Sequence, residues 1–125
     1  MKIKKIDCLG ITFDNGNKLL YNHEKECCER VYADWLNMQI MTKMGVNSVN
    51  TNDLDFNVDL DKKITKIQNV GFEIEDNNGI RLFVSCYNKQ NGYYSSNLEL
   101  HYIKKGLGRT IIDISDCVKD EDDCI

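Results

Sequence analysis

The other patterns of the sequence are arranged around the stretch from residue 83 to residue 100, which reads Phe83-Val84-Ser85-Cys86-Tyr87-Asn88-Lys89-Gln90-Asn91-Gly92-Tyr93-Tyr94-Ser95-Ser96-Asn97-Leu98-Glu99-Leu100. It predicts a hairpin of two β-strands around Asn91-Gly92, because this dipeptide tolerates the positive φ angles of a tight turn. The first strand has two faces, formed by Leu82, Val84 and Cys86 and by Arg81, Phe83, Ser85 and Tyr87. The apolar set is typical of a core-facing side.

The second face of this strand combines a guanidinium, two aromatic rings and a hydroxyl. Such groups can stack on a nucleobase and bind a sugar phosphate. A second buried face or an oligomer contact would use the same residues. The residues alone leave these readings open.

The composition indicates one folded domain. The chain has 125 residues, of which 42% are hydrophobic and 29% charged. No apolar run approaches the roughly 20 residues of a membrane helix, and the basic start, Met1–Ile6, lacks the apolar centre of a signal peptide. We therefore expect a cytoplasmic protein that does not bind membranes. A net charge of −4 argues against general binding to DNA or other nucleic acids.

The order of patterns predicts an α+β fold, in which an antiparallel β-sheet or meander carries one principal amphipathic helix. The helix is expected from Glu24 to Met44, because apolar residues there follow helical spacing. Asp14-Asn15-Gly16 predicts a hairpin turn. We place a single domain at residues 1–115 and a frayed acidic tail at residues 116–125. Strands are expected at Ile3–Cys8, Ile11–Phe13, Lys18–Tyr21, Ile64–Gln68, Val70–Glu75, Ile80–Asn88, Asn97–Ile103 and Thr110–Ser115.

Histidine, thiol and carboxylate groups cluster in His23-Glu24-Lys25-Glu26-Cys27-Cys28-Glu29. They could ligate zinc with help from His101 or a distant cysteine, although such residues are more often a small core cysteine and carboxylates at the start of a helix. A catalytic thiol could pair as Cys27–His101 or Cys86–His101. No cofactor fingerprint is present, so we expect neither a cofactor nor a bound metal, and a small metal- or thiol-dependent enzyme is an alternative.

A basic glycine turn, Lys104-Lys105-Gly106-Leu107-Gly108-Arg109, could cradle a phosphate or could be a solvated hairpin turn. Arginine is scarce, since Arg30, Arg81 and Arg109 are the three among 16 basic residues. Bidentate phosphate recognition is what lysine cannot supply. The positions of Arg81 on the aromatic face and of Arg109 at this turn therefore add some support to a pocket for a small anion.

The His23–Glu29 run and the segment Cys86–Ser96, with its Asn-Gly-Tyr-Tyr sequence, resemble a family of small phage and bacterial proteins. These carry an H-x-x-D/E-C-C-E run followed by an N-G-Y-Y segment. Within this family the chain is most similar to the first type of Thoeris anti-defence proteins. These phage-encoded sponges sequester a cyclic ADP-ribose isomer, leave it intact and keep the defence effector silent. The resemblance implies a non-enzymatic protein that forms dimers or higher homo-oligomers with ligand pockets between subunits, and that could also bind cyclic oligonucleotides.

The resemblance also implies roles for particular residues. Phe83 would stack the base, Arg109 would pair with the phosphates, and Asn91 with the Gly92 amide would bind sugars or phosphates. A second Arg109, or Arg30 of a neighbouring copy, would meet the same pyrophosphate. The full set of candidate ligand residues is Phe83, Asn91, Gly92, Arg109, Arg81, Arg30 and Tyr93. An inhibitor or adaptor that docks a host protein is the alternative from a different class.

Overall fold

The computed structural model describes residues 1–22, 31–42, 45–46, 51–88 and 98–120. Within these ranges short 3-10 helical turns lie at Trp35–Asn37, Thr51–Asp53, Leu60–Lys63 and Ser115–Cys117. The strands, in chain order, are β1 (Ile3–Asp7), β2 (Gly10–Phe13), β3 (Lys18–Asn22), β4 (Val31–Ala33), β5 (Gln39–Thr42), β6 (Gly45–Val46), β7 (Ile64–Ile67), β8 (Gly71–Glu75), β9 (Arg81–Asn88), β10 (Glu99–Lys104), β11 (Gly108–Asp113) and β12 (Lys119–Asp120).

The first sheet is antiparallel, with the strand order β1-β2-β3-β10-β11. The predicted hairpin around Asp14-Asn15-Gly16 is confirmed as the β2–β3 connection, in which Gly16 adopts a φ of +90°. A positive φ of this size suits glycine because it has no Cβ. The turn pairs β3 with β2, and the other edge of β3 pairs with β10 in the middle of the sheet.

The second sheet is built around β9, which is paired with β8 and β5 along the path β6-β5-β9-β8-β7. Both β4 and β12 also pair with β9, and β12 does so in the parallel direction. Buried hydrophobic residues from both sheets form one core cluster, including Leu19 and Leu100 of the first and Phe72 and Leu82 of the second. The structure is therefore mostly antiparallel β-sheet.

The hairpin predicted across residues 83–100 is wrong. β9 belongs to the second sheet, whereas β10 is paired with β3 and β11 in the first sheet. Neighbours from elsewhere in the chain occupy both edges of each strand, so long-range pairing overrides the local turn signal. The Asn91-Gly92 dipeptide itself lies outside the described residues.

The helix predicted from Glu24 to Met44 is wrong over residues 31–42, which form β4, a 3-10 turn and β5. Val31 and Ala33 are buried opposite Asn88 and Cys86 of β9. Leu36, which the helical pattern placed on an apolar face, is 64% exposed. Residues 31–33 and 39–41 adopt a strand conformation because they pair with β9. Residues 24–30 and 43–44 lie outside the described residues.

The acidic end of the chain is packed as far as it is described. Cys117 and Val118 are buried, and β12 pairs with Tyr87 and Asn88 of β9. The expectation of fraying from residue 116 is therefore wrong up to Asp120, and residues 121–125 lie outside the described ranges. In the parts of the chain that the structure describes, no helix is long and apolar enough to cross a membrane.

Candidate anion-binding site

The outward face of the first sheet carries the arginine of the basic turn. Along β10, Leu100 and Tyr102 belong to the core. Because side chains alternate along a strand, His101 and Ile103 face away from the core. His101 stands between Leu20 and Ile111, and Ile103 stands between Lys18 and Arg109. The sheet register therefore brings an imidazole and a guanidinium together among apolar side chains.

The basic turn itself offers fewer free cations than its sequence indicates. Gly106 and Gly108 have φ values of +77° and +99°, which explains both glycines. Lys104 Nζ lies 3.1 Å from Asp59 Oδ1, and this hydrogen bond raises the pKa of the lysine. Lys104 is thus partly neutralised, which leaves Arg109 as the better candidate for an anion.

The Arg109 guanidinium is directed along the sheet toward His101. Its Nη1 lies 3.2 Å from His101 Nδ1, and His101 Nε2 lies 3.4 Å from Glu99 Oε1. Among the described residues, no carboxylate lies within salt-bridge distance of Arg109. Its positive charge is therefore uncompensated within the described part of the chain.

A hollow of about 210 Å³ opens beside this pair and is lined by Leu20, Tyr21, His101, Ile103 and Arg109. The aliphatic side chains offer a surface for a flat apolar group, and the guanidinium offers planar donors for a phosphate. Sites for drug-sized ligands usually occupy about 300–1,000 Å³. At about 210 Å³, this hollow is smaller than that range.

The second sheet presents a different outward face, on which Arg81 and Phe83 lie. Arg81 Nη1 is 3.2 Å from Glu73 Oε2. A hollow of about 290 Å³ on this face is lined by Lys63, Thr65, Glu73, Glu75, Gly79 and Arg81. Two carboxylates balance the two cations there, so this hollow is electrostatically poor for an anion.

Phe83 lies in register between Gln39 of β5 and Glu73 of β8 and is half-buried, so part of its ring is accessible. Tyr87 and Tyr32 form a ring pair farther along the same face, with centroids 5.6 Å apart. Phe83 and Arg81 therefore share one face, as predicted, while Arg109 lies on the outward face of the other sheet. Arg30, Asn91, Gly92 and Tyr93 lie outside the described residues.

The described cysteines and histidine do not form the predicted thiol pair. Cys86 faces the core between the sheets, whereas both ring nitrogens of His101 contact groups on the outward face. Burial raises the pKa of Cys86 to about 12 and that of Cys117 to about 11, so both thiols are protonated near neutral pH. A Cys86–His101 nucleophilic pair is thus wrong for this fold, and Cys27 lies outside the description.

In the described ranges there is no group of three or more histidine, cysteine or acidic residues that could hold a metal ion. The His23–Glu29 cluster is outside those ranges.

Sequence reasoning did not place His101, Leu20 and Ile103 at the Arg109 site. A signal was present, because the tight turn at residues 105–107 fixes Ile103 opposite Arg109 and puts His101 one step further on the same face. Placing Leu20 at this site also requires the pairing of β3 with β10, whereas the sequence predicted that β9 lies beside β10.

The described chain is thus a two-sheet β fold in which Arg109, with no carboxylate partner among the described residues, lies beside a largely apolar hollow. Residues 1–100 match the family described as a domain of unknown function (DUF7448), and the chain belongs to that family. No curated protein and no solved structure matches the chain. The match ends before Arg109, so the arginine lies outside the part that defines the family.

Proposed function

We propose that this protein binds and sequesters a cyclic ADP-ribose-type signal without changing it chemically. In this proposal it acts in the bacterial cytoplasm as a phage-encoded antagonist of Thoeris defence. The observation that carries the proposal is the Arg109 guanidinium, which has no carboxylate partner among the described residues and lies beside the apolar hollow. The ligand class follows from the resemblance of the His23–Glu29 and Cys86–Ser96 segments to the sponge family.

The charges of the described residues favour Arg109 as the pyrophosphate contact. Arg81 is already bound to Glu73, and Lys104 is bound to Asp59. Arg109 donates one N–H toward a neutral imidazole and retains its remaining donors and its full charge. A planar fork of donors suits two phosphate oxygens.

The positions of Phe83 and Arg109 support a pocket between copies of the chain. Each lies on the outward face of a different sheet, with the shared core between the sheets. A ligand that stacks on Phe83 and pairs with Arg109 is therefore held by Phe83 of one copy and Arg109 of another. The small volume of the Arg109 hollow agrees with a site that a second copy completes.

Burial raises the pKa values of Cys86 and Cys117, and protonated buried thiols are poor nucleophiles, so neither of these two residues is a candidate for thiol catalysis. A sponge needs only tight binding, and capture alone lowers the concentration of free signal.

Calorimetric titration with cyclic ADP-ribose isomers, alongside cyclic di- and trinucleotides, tests the proposal. Arg109→Ala should weaken binding of the preferred cyclic ADP-ribose isomer by about tenfold or more, since a charge-assisted bond contributes about 1.5–3 kcal/mol. Arg81→Ala is the matched control and should change the affinity little, because Glu73 already occupies that guanidinium. Ligand recovered after heat denaturation should be chemically intact.

Three outcomes would contradict the proposal. Turnover of the ligand indicates an enzyme. Absence of binding to every isomer, together with stable co-purification of a host protein, indicates a protein-directed inhibitor. Equal affinities of the wild type and Arg109→Ala place the pocket elsewhere.

A further inference from the structure

We propose that His101 is a positioning residue that aims the Arg109 guanidinium at the ligand, and that Glu99 in turn orients His101. This inference rests on the proposed function and adds two residues to its site. The juxtaposition that carries it is a continuous row of polar contacts across β10 and β11, from Glu99 through His101 to Arg109.

The chemistry of the three groups fixes the direction of each hydrogen bond. A guanidinium has donors and no acceptor, so His101 Nδ1 must accept from Arg109 Nη1 at 3.2 Å. The ring proton then sits on Nε2, which donates to Glu99 Oε1 at 3.4 Å. The row is consistent only with a neutral imidazole in its Nε2–H tautomer.

The surroundings of His101 favour this arrangement. His101 is only 9% exposed, and its cross-strand neighbours Leu20 and Ile111 are apolar. Little water therefore competes for the ring nitrogens. The charged residues nearest in register are Asp113, which stands opposite Glu99, and Lys18, which stands opposite Ile103.

The row has a consequence for the free protein. An exposed arginine normally samples many rotamers and loses that freedom when it binds a ligand. The contact with His101 restricts Arg109 before the ligand arrives, so less freedom remains to be lost. Immobilising one such side chain costs about 0.5–1.5 kcal/mol, and removal of the acceptor should weaken binding about twofold to tenfold.

Nitrogen NMR of the ligand-free protein, labelled at histidine, tests the row without any ligand. His101 should show an unprotonated Nδ1 and a protonated Nε2 near neutral pH. Arg109→Leu should shift the ring toward a mixture of tautomers, while Arg81→Leu on the other sheet should leave it unchanged. A dominant Nδ1–H tautomer in the wild type, or no change in Arg109→Leu, overturns the inference.

Two substitutions of His101 then test its effect on affinity for the cyclic ADP-ribose isomer. His101→Asn keeps an oxygen acceptor near the position of Nδ1, whereas His101→Phe keeps a ring without any acceptor. We expect near wild-type affinity for Asn and the twofold-to-tenfold loss for Phe, at matched Tm values. Equal affinities of the Phe variant and the wild type overturn the positioning role. If the wild type binds no isomer, the proposed function fails. The NMR experiment then decides by itself whether the contacts from Glu99 through His101 to Arg109 are present.

Discussion

Tyr102 connects the core to the turn that carries Arg109. Its side chain is fully buried, and its hydroxyl donates to the Val58 carbonyl at 2.6 Å and accepts from Asn17 Nδ2 at 3.0 Å. Asn17 Oδ1 in turn accepts from the Lys105 amide at 3.0 Å. One buried hydroxyl therefore helps to hold two turns of the first sheet in register.

Removing this hydroxyl should destabilise the fold. Tyr102→Phe leaves the Val58 carbonyl and the Asn17 amide without their shared partner, and each such buried loss costs about 1–3 kcal/mol. Urea unfolding should show a lower midpoint with an unchanged slope. Tyr87→Phe is the control, because the Tyr87 hydroxyl has no hydrogen-bond partner among the described residues and its loss should shift the midpoint little. Equal midpoints for the two variants would contradict this account.

The buried thiols should make the fold sensitive to alkali. The pKa values of Cys86 and Cys117 are raised from 9.0 to about 12 and about 11 by burial. The folded state then keeps protons that the unfolded state releases, so the free energy of unfolding falls as the pH rises above 9.0 toward about 11–12. Burial also raises the pKa of Tyr102, which acts in the same direction.

Urea unfolding at about pH 8 and about pH 10 checks this expectation. The drop in stability should be smaller in the double variant Cys86→Ala/Cys117→Ala than in the wild type. An identical drop would show that the buried thiols do not set the alkaline limit.

At the scale of single residues, the sequence predicted the side of the strand on which a residue lies better than it predicted the residue's contacts across strands. The outward positions of Arg81 and Phe83 and the inward positions of Leu82 and Val84 follow from strand alternation. The neutralisation of Arg81 depends on Glu73, which only the β8–β9 register places beside it. Such a pairing between strands leaves no periodic trace in the sequence.

Among the elements, the β8–β9 turn has an internal brace. Asp76 is buried, and its Oδ1 accepts from the amides of Asn78 and Ile80 at 2.9 and 2.8 Å. Its Oδ2 accepts from the Asp55 amide at 3.3 Å, which attaches a distant loop to the turn. A carboxylate that bonds backbone amides two and four residues ahead is a common way to fix a turn.

Asp76→Ala should therefore destabilise the protein by about 2 kcal/mol, because three partly buried amides lose their acceptor. Asp76→Asn keeps one oxygen and should fall between the alanine variant and the wild type. Thermal unfolding monitored by circular dichroism measures the order. Asn78→Ala, at an exposed site in the same turn, should have a Tm near that of the wild type. A lower Tm for Asn78→Ala than for Asp76→Ala would refute the brace.

The elements that local chemistry determines were predictable, and those that depend on distant strands were not. The turns at residues 14–16 and 76–79 carry their own Asp, Asn and Gly signals, and both connect adjacent strands as expected. Residues 31–36 fit a helical spacing, but β4 is fixed by pairing with β9, more than fifty positions away in the chain. In the same way, β9 and β10 lie in different sheets because each pairs with strands from elsewhere in the chain.

At the scale of the whole molecule, the opposite placement of Phe83 and Arg109 gives a direct test of a shared pocket. Phe83→Ala and Arg109→Ala should each abolish most binding when present alone. Mixed in equal amounts and allowed to exchange copies, they should regain about a quarter of the pockets, because some junctions combine the intact Phe83 of one variant with the intact Arg109 of the other.

Calorimetric stoichiometry of the mixture, compared with each variant alone, measures this recovery. No recovery after complete exchange would show that both side chains contact the ligand from the same copy, or that one of them does not contact it.

Under the proposed function, the outward positions of Phe83 and Arg109 on different sheets would also make capture depend on the abundance of the protein. If two chains build each pocket, capture of the signal and association of the chains are one mass-action equilibrium. Dilution then weakens capture, and each captured molecule tightens the junction that holds it. A sponge of the proposed kind would then act above a threshold in an infected cell: the first copies would absorb little, and sequestration would rise steeply once the concentration of chains exceeds the dissociation constant of the junction.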